Sequence, residues 1–146
     1  MSAKSFVDTN VLVYARDRHA GAKYATARDL LEQLWAERSG VLSTQVLQEF
    51  YVNVRRKPKK PLSANEAREI VSDYLSWDVV VNTGDSVLAA IDLEERFQLS
   101  FWDALIVHAA QASGAETLYS EDLADGQQYG LVKVVNPFAG QAAPAS

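Results

Sequence analysis

The stretch SFVDTNVLV, residues 5–13, decides the fold of this chain. Residues 5–7 are a short apolar run, which predicts a buried strand. Asp8 follows this strand directly, and Asn10 is of a type that caps helices, so a short helix is expected over 11–15. In open parallel sheets, ligands bind beyond the carboxyl ends of the strands, which is where this pattern puts Asp8.

The rest of the chain alternates in the same way between short apolar runs and helical periodicity. This alternation predicts a mainly parallel sheet that is covered on both faces. No internal repeat or linker divides the chain, so we expect one domain over 1–138, followed by a loose, Ala-rich tail at 139–146. Further strands are predicted at 41–43, 79–81, 116–119 and 131–135, and helices at 21–37, 45–57, 63–77, 85–95 and 101–113. The expected caps of the later helices are Thr44, a capping box at Ser63 and Glu66, Asp85 and Ser100.

The composition excludes several kinds of chemistry. The 146 residues include no cysteine, which rules out disulfides, zinc–thiolate sites and a thiolate nucleophile. The start of the chain has no long apolar stretch, so we expect neither a signal peptide nor a membrane anchor, and a location in the cytoplasm. A net charge of −5 argues against binding nucleic acid by bulk electrostatics, unless the acids surround divalent cations.

Four acids are expected near the carboxyl edge of the predicted sheet. Asp8 ends the first strand, and Asp122 lies just past the fourth. Glu49 lies within two turns of the start of the helix that leaves the second strand. Asp103 lies in the first turn of a helix, where the helix dipole favours a negative charge. At least three of the four acids are therefore aimed at one edge of the sheet.

Each acid also has an ordinary structural explanation. Asp8 could cap the following turn, Asp122 could form a turn, and Asp103 could pair with Ser100 in a capping box. Glu49 lies about 110° from the middle of the apolar stripe on its helix, a boundary position that fits either role. The acids are therefore informative as a set and not singly.

Carboxylates that converge in one cleft repel each other. Two unit charges about 4 Å apart cost roughly 4 kcal/mol at an effective dielectric constant of about 20. Four such groups must therefore bind cations or raise some of their pKa values. All-oxygen ligand sets suit Mg²⁺ or Mn²⁺, and these ions can activate water and stabilise charge on a phosphate.

These acidic segments resemble the four motifs of PIN domains, in the same order and with similar spacing. The resemblance covers residues 5 to about 138, and the small size is most like that of the VapC-type toxins of bacterial toxin–antitoxin pairs. The fourth motif is the loosest, because Asp125 lies in the same loop as Asp122 and could supply or share its role. The four matching segments are FVDTNVL (6–12), STQVLQEF (43–50), FWDALI (101–106) and LYSED (118–122).

The resemblance implies a PIN-like three-layer α/β/α sandwich with a central, mainly parallel sheet. It implies a magnesium- or manganese-dependent endoribonuclease that acts on RNA, forms a homodimer and is inhibited by a separately encoded antitoxin. The metal-site and catalytic acids that it implies are Asp8, Glu49, Asp103 and Asp122, and the polar neighbours that orient the site are Thr9, Asn10 and Ser120.

Two helices bear on the homodimer. The predicted helices at 63–77 and 85–98 carry more apolar residues than one small core needs. We expect these residues to form a surface for a second copy of the chain. They are Ile70, Tyr74, Trp77, Leu88 and Ile91.

A basic run follows the third predicted helix, and it could be a solvated helix end or a contact for RNA. Its cations are Arg55, Arg56, Lys57, Lys59 and Lys60.

Two other functions stay open. One is a catalytically silent PIN-fold module that binds RNA or protein. The other is a magnesium-dependent phosphatase with Asp8 as nucleophile, although that chemistry usually has an Asp-x-Asp-x-Thr pattern and residues 8–12 read DTNVL.

Overall fold

Six strands form one sheet in this computed structural model, which describes residues 3–56 and 59–141. The strands are β1 (Ser5–Val7), β2 (Gly40–Ser43), β3 (Asp78–Val80), β4 (Thr117–Tyr119), β5 (Gln128–Tyr129) and β6 (Val132–Val135). Their order across the sheet is β3-β2-β1-β4-β6-β5. All neighbouring pairs are parallel except β5 with β6.

In the part of the chain that the structure describes, six α-helices connect the strands, with one short 3₁₀ turn at Arg18–Ala20. Within the described ranges, none of the helices is long and apolar enough to cross a membrane. The helices are α1 (Thr9–Tyr14), α2 (Ala22–Glu37), α3 (Thr44–Val54), α4 (Ala64–Tyr74), α5 (Gly84–Phe97) and α6 (Phe101–Ser113).

The central strand β1 is buried on both sides. It pairs with β2 on one side and with β4 on the other, and Phe6 and Val7 are both completely buried. Because successive side chains of a strand point to opposite faces, both faces of the sheet are covered. The predicted α/β sandwich with a central, mainly parallel sheet is therefore confirmed.

The predicted caps of α1 and α5 are wrong. α1 begins at Thr9, and its cap is Asp8 instead of Asn10, because the Asp8 carboxylate accepts a hydrogen bond from the Thr9 backbone at 2.7 Å. α5 begins at Gly84 after Thr83, so Asp85 lies inside the first turn and is not the cap.

The ends of α3 also differ from the prediction. Its cap is Ser43 instead of Thr44, since the Ser43 hydroxyl accepts from the Val46 backbone at 3.3 Å. The helix ends at Val54, where the returning chain donates a hydrogen bond from the Leu62 backbone to the Val54 carbonyl. Lys57, where the sequence predicted the end, lies outside the described residues.

The sequence predicted one strand at 131–135 where the structure has a hairpin. β5 and β6 are antiparallel, with Gln128 opposite Lys133, and Gly130 lies in the turn with a positive φ of 61°. Part of the predicted tail is bound to the domain, because the Gln141 amide donates to the Thr26 hydroxyl at 2.8 Å. Residues 142–146 of that tail lie outside the described part of the chain.

The apolar residues expected to be surplus to the core are of two kinds. Ile70, Tyr74 and Trp77 pack against the main core, which contradicts the expectation for these three. Leu88 and Ile91 are exposed, as expected.

Gly40, the first residue of β2, is predicted to tolerate no side chain. A Cβ at this position would lie 2.1 Å from the Trp77 ring, so Gly40→Ala should lower the free energy of unfolding by about 1–3 kcal/mol through overpacking. Urea unfolding measures this loss. Gly84→Ala is the matched control, because a Cβ there meets nothing within 4 Å. Equal stability of the two variants would contradict the prediction.

Candidate active site

A cavity of about 300 Å³ lies at the carboxyl ends of β1 and β4. All four acids predicted from the sequence line this cavity: Asp8, Glu49, Asp103 and Asp122. They come from the end of β1, from α3, from α6 and from the loop after β4. The strand order explains the convergence of Asp8, Glu49 and Asp122, because β1, β2 and β4 are parallel and consecutive in the sheet and the segments that leave them meet at one edge. Asp103 lies at the start of α6, the helix that precedes β4.

Asp8 is the most buried of these acids, with 5% of its surface exposed. Its Oδ1 accepts from the Thr9 backbone at 2.7 Å, and its Oδ2 accepts from the Ser120 hydroxyl at 2.8 Å. Burial raises the pKa of Asp8 from 3.8 to about 7, although the bonds from Ser120 and Thr9 oppose the shift. The charges of Asp122 and Glu49 contribute to the same rise, but less than burial does. Asp8 is therefore harder to ionise than an exposed aspartate.

Ser120 and Thr9, which the sequence named as supporting residues, connect the acids to each other. Ser120 is fully buried, and besides donating to Asp8 it accepts from the backbone of Asp122 at 3.2 Å. The Thr9 hydroxyl donates to Glu49 Oε1 at 2.8 Å. Two short side chains thus join three of the four acids into one network.

Asp103 and Asn10 both line the cavity, and they differ in their hydrogen bonding. The Ser100 hydroxyl accepts from the Asp103 backbone at 3.1 Å, which fixes the start of α6 and leaves the Asp103 carboxylate to line the cavity. Both amide atoms of Asn10 are buried and have no hydrogen-bond partner among the described residues. Unpaired buried polar atoms at a cavity wall indicate that a ligand completes the site.

Asp125, the alternative fourth acid, takes a structural role. Its Oδ1 accepts from the Asn136 backbone at 2.9 Å, and the residue is exposed. Of the two acids that the sequence left open, the structure thus brings Asp122 to the cavity.

Glu121 is a cavity residue that the sequence reasoning did not single out. It accepts hydrogen bonds from the Tyr14 hydroxyl at 2.8 Å and from the Lys23 ammonium at 2.5 Å. Lys23 is itself buried, and its ammonium lies 5.1 Å from the centre of the Tyr14 ring. A cation from α2 therefore offsets the charge of this additional carboxylate. The position of Glu121 between Ser120 and Asp122 was the available signal, but Lys23 is 98 residues away in the chain.

The side chains around the cavity offer ligands that suit a hard divalent cation. They are carboxylates and amides, and oxygen ligands are those that Mg²⁺ and Mn²⁺ prefer. In the part of the chain that the structure describes, no three acidic or histidine side chains meet the spacing of a metal site. The fit to a cation therefore rests on the oxygen ligands that the side chains offer and on the unpaired amide of Asn10. It is also supported by the raised pKa of Asp8, which burial causes first and the charges of Asp122 and Glu49 second.

The basic run begins where α3 leaves the cavity. Asn53 lines the cavity, and the exposed Arg55 and Arg56 follow it after one buried residue, Val54. Arg55 donates to the Tyr51 hydroxyl at 3.0 Å. Lys57 lies outside the described residues, and the other two lysines of the run are exposed.

Residues 5–124 match the family model described as PIN domain, which covers most of the 146 residues. The chain therefore belongs to the PIN domain family. The resemblance inferred from the four acidic motifs is confirmed.

Solved structures with the same fold include a VapC toxin and toxin–antitoxin complexes. VapC20 of Mycobacterium tuberculosis, described as a sarcin–ricin loop cleaving toxin, is 23% identical with a TM-score of 0.64, over 82% of this chain and 90% of that one. A toxin–antitoxin complex from Klebsiella pneumoniae is 20% identical with a TM-score of 0.68, over 92% and 98%. VapBC2 of Rickettsia felis, bound to a promoter DNA fragment, is 20% identical with a TM-score of 0.61, over 89% and 96%. Comparison with curated protein sequences gives no match.

Asp8→Asn should stabilise the cation-free protein at pH 8 and leave it almost unchanged at pH 4. Folding raises the pKa of Asp8 to about 7, so its favourable contribution is full below about pH 4 and is lost as the pH rises through 7. An uncharged amide avoids this loss, and we expect a gain of up to about 4 kcal/mol at pH 8, because one pKa unit corresponds to about 1.4 kcal/mol.

Urea unfolding in EDTA at both pH values measures this difference. Asp29→Asn is the control, because the Asp29 side chain is 71% exposed. An equal effect of Asp8→Asn at pH 4 and pH 8 would show that ionisation of Asp8 does not limit stability.

Proposed function

We propose that this protein is an endoribonuclease that depends on Mg²⁺ or Mn²⁺ and hydrolyses RNA phosphodiester bonds. The observation that carries the proposal is the convergence of Asp8, Glu49, Asp103 and Asp122 on one cavity of a PIN domain. Each acid alone has a structural explanation, but four of them at one cavity wall cost repulsion that a bound cation would relieve.

The four acids would hold the cation, which when bound lowers the pKa of water and offsets charge on the phosphate. The hydrogen bonds from Thr9 and Ser120 take one lone pair of each Asp8 oxygen and leave others for a cation. Thr9 also fixes Glu49, so these side chains are held before the substrate arrives. Water is then the nucleophile, and no side chain needs to form a bond to phosphorus.

The solved structures favour a biological role as the toxin of a toxin–antitoxin pair. One neighbour is described as a toxin that cleaves the sarcin–ricin loop, and others are complexes of toxin and antitoxin. We therefore propose that the protein acts on RNA in the cytoplasm, where such RNA lies. Its proposed partner is a separately encoded antitoxin. The alternative of a silent binding module remains the main rival.

The basic run is proposed to contact the RNA backbone beside the cavity. Asn53 lines the cavity, and Arg56 follows it by about one helical turn. A phosphate chain that leaves the acids along α3 would meet these cations, which compensate locally for a net charge of −5. The proposed contacts are Arg55, Arg56, Lys57, Lys59 and Lys60.

Asp8→Asn and Asp103→Asn should each lower RNA cleavage at least about 100-fold, because a bound cation contributes several kcal/mol to the transition state. Structured RNA incubated with Mg²⁺ or Mn²⁺ should give 5′-phosphate and 3′-hydroxyl ends, and EDTA should stop the reaction. Asp29→Asn is again the matched control. Comparing Asp122→Asn with Asp125→Asn decides which acid serves the fourth motif.

Cyclic-phosphate ends, or full activity in EDTA, would contradict the mechanism. Binding of cation without cleavage of any RNA would favour the silent module. Hydrolysis of phosphate monoesters would instead favour the phosphatase.

The homodimer is proposed to form through α5. Val87, Leu88 and Ile91 are 42%, 63% and 43% exposed, and they lie within about one turn of each other on this helix. Light scattering should therefore give twice the 16.1 kDa of one chain, and Leu88→Glu should give the mass of one chain. Leu131→Glu is the control, since Leu131 is 88% exposed on the β5–β6 turn. A wild-type mass of one chain would contradict the proposal.

A further inference from the structure

Gln45 is a buried polar residue at the wall of the cavity. It lies in the second acidic segment, STQVLQEF (43–50), but it has no role among the acids and supporting residues described above. It is the second residue of α3, and only 5% of its surface is exposed. Its Nε2 donates to the Trp102 carbonyl at 3.2 Å, which connects α3 to the start of α6. Its Oε1 is buried and has no hydrogen-bond partner among the described residues.

The bond to Trp102 fixes the orientation of the Gln45 amide. A carbonyl can only accept, so the NH₂ end of the amide must face Trp102 and the oxygen must point away from it. The unpaired atom of Gln45 is therefore the acceptor Oε1, and its partner must be a hydrogen-bond donor.

An unpaired buried acceptor is costly, because it has lost its hydrogen bonds to water and gained none in exchange. Five buried side-chain atoms lack a partner in the described part of the chain, and three of them, on Asn10 and Gln45, belong to residues that line this one cavity. This concentration indicates that a ligand, rather than local misfit, completes the hydrogen bonding.

We propose that Gln45 Oε1 accepts a hydrogen bond from a ribose 2′-hydroxyl next to the scissile phosphate. The inference rests on the proposed function and deepens it, because it assigns a residue to the distinction between RNA and DNA. An ionised phosphodiester carries no donor, and the donors of the bases differ from base to base. The 2′-hydroxyl is a donor that every RNA nucleotide has and every DNA nucleotide lacks.

The test uses a short RNA that the wild-type protein cuts at one position. Versions of it carry a single 2′-deoxynucleotide on either side of the scissile phosphate. One of the two substitutions should lower kcat/KM about tenfold in the wild type, since it leaves a buried acceptor unpaired. A 2′-fluoronucleotide at that position keeps an RNA-like sugar pucker but cannot donate, so it should be cut as slowly as the deoxy version.

Gln45→Met removes the acceptor and keeps a side chain of similar length. In this variant the ribose and deoxy substrates should differ less than about twofold, because no acceptor remains to lose its partner. Gln48→Met is the matched control, since Gln48 is exposed on the same helix and the variant should keep the tenfold preference. The affinity for Mn²⁺ alone should be the same in Gln45→Met and the wild type.

Several results would overturn the inference. Equal cleavage of ribose and deoxy substrates by the wild type would do so without any variant, as would cleavage of the fluoro substrate at the ribose rate. An equal loss on both substrates in Gln45→Met, with the preference intact, would show that Gln45 only positions α6. Weaker Mn²⁺ binding by Gln45→Met would assign the oxygen to cation hydration. Absence of any RNA cleavage by the wild type would overturn the proposed function together with this inference.

Discussion

The hydrogen bond from the Ser120 hydroxyl to Asp8 joins the ends of β1 and β4, the two strands at the base of the cavity. Ser120 also accepts from the Asp122 backbone, and Thr9, next to Asp8, donates to Glu49. Buried polar networks of this kind have few alternative arrangements, because each broken bond leaves a group unpaired at low dielectric. The spacing of three acids is therefore set by the packing of the sheet, and displacing either strand would dismantle the site.

Several carboxylates line the cavity, and cationic side chains of the protein offset only part of their negative charge. Lys23 offsets Glu121, whereas burial and the neighbouring carboxylates leave Asp8 difficult to ionise. Under the proposed function, stability and activity thus oppose each other at this site, as is common where catalytic groups are held against their electrostatic preference. The domain tolerates the cost because its hydrophobic core lies on both faces of a sheet whose central strand is fully covered.

Local patterns in the sequence were sufficient for the fold class and for the acids. Each of Asp8, Asp103 and Asp122 is adjacent to a strand or helix end that its own neighbours define. The sequence did not predict features that depend on a residue far away in the chain or on a very short strand. The partner of Glu121 is Lys23, 98 residues away, and β5 has two residues, too few for an alternating pattern to show. Gln45 was missed because periodicity tells which helix face is buried, but not that a cavity adjoins it.

The three tryptophans are divided between the two ends of the sheet, which has a spectroscopic consequence. Trp35 and Trp77 are in contact, with ring centres 5.4 Å apart, near the amino ends of β2 and β3. Trp102 is 62% exposed and lines the cavity at the carboxyl end. A paramagnetic cation or a stacked base at the cavity would quench Trp102 emission and leave the other pair largely unaffected. Unfolding would instead change the emission of Trp35 and Trp77. Tryptophan fluorescence can therefore distinguish ligand binding from loss of the fold.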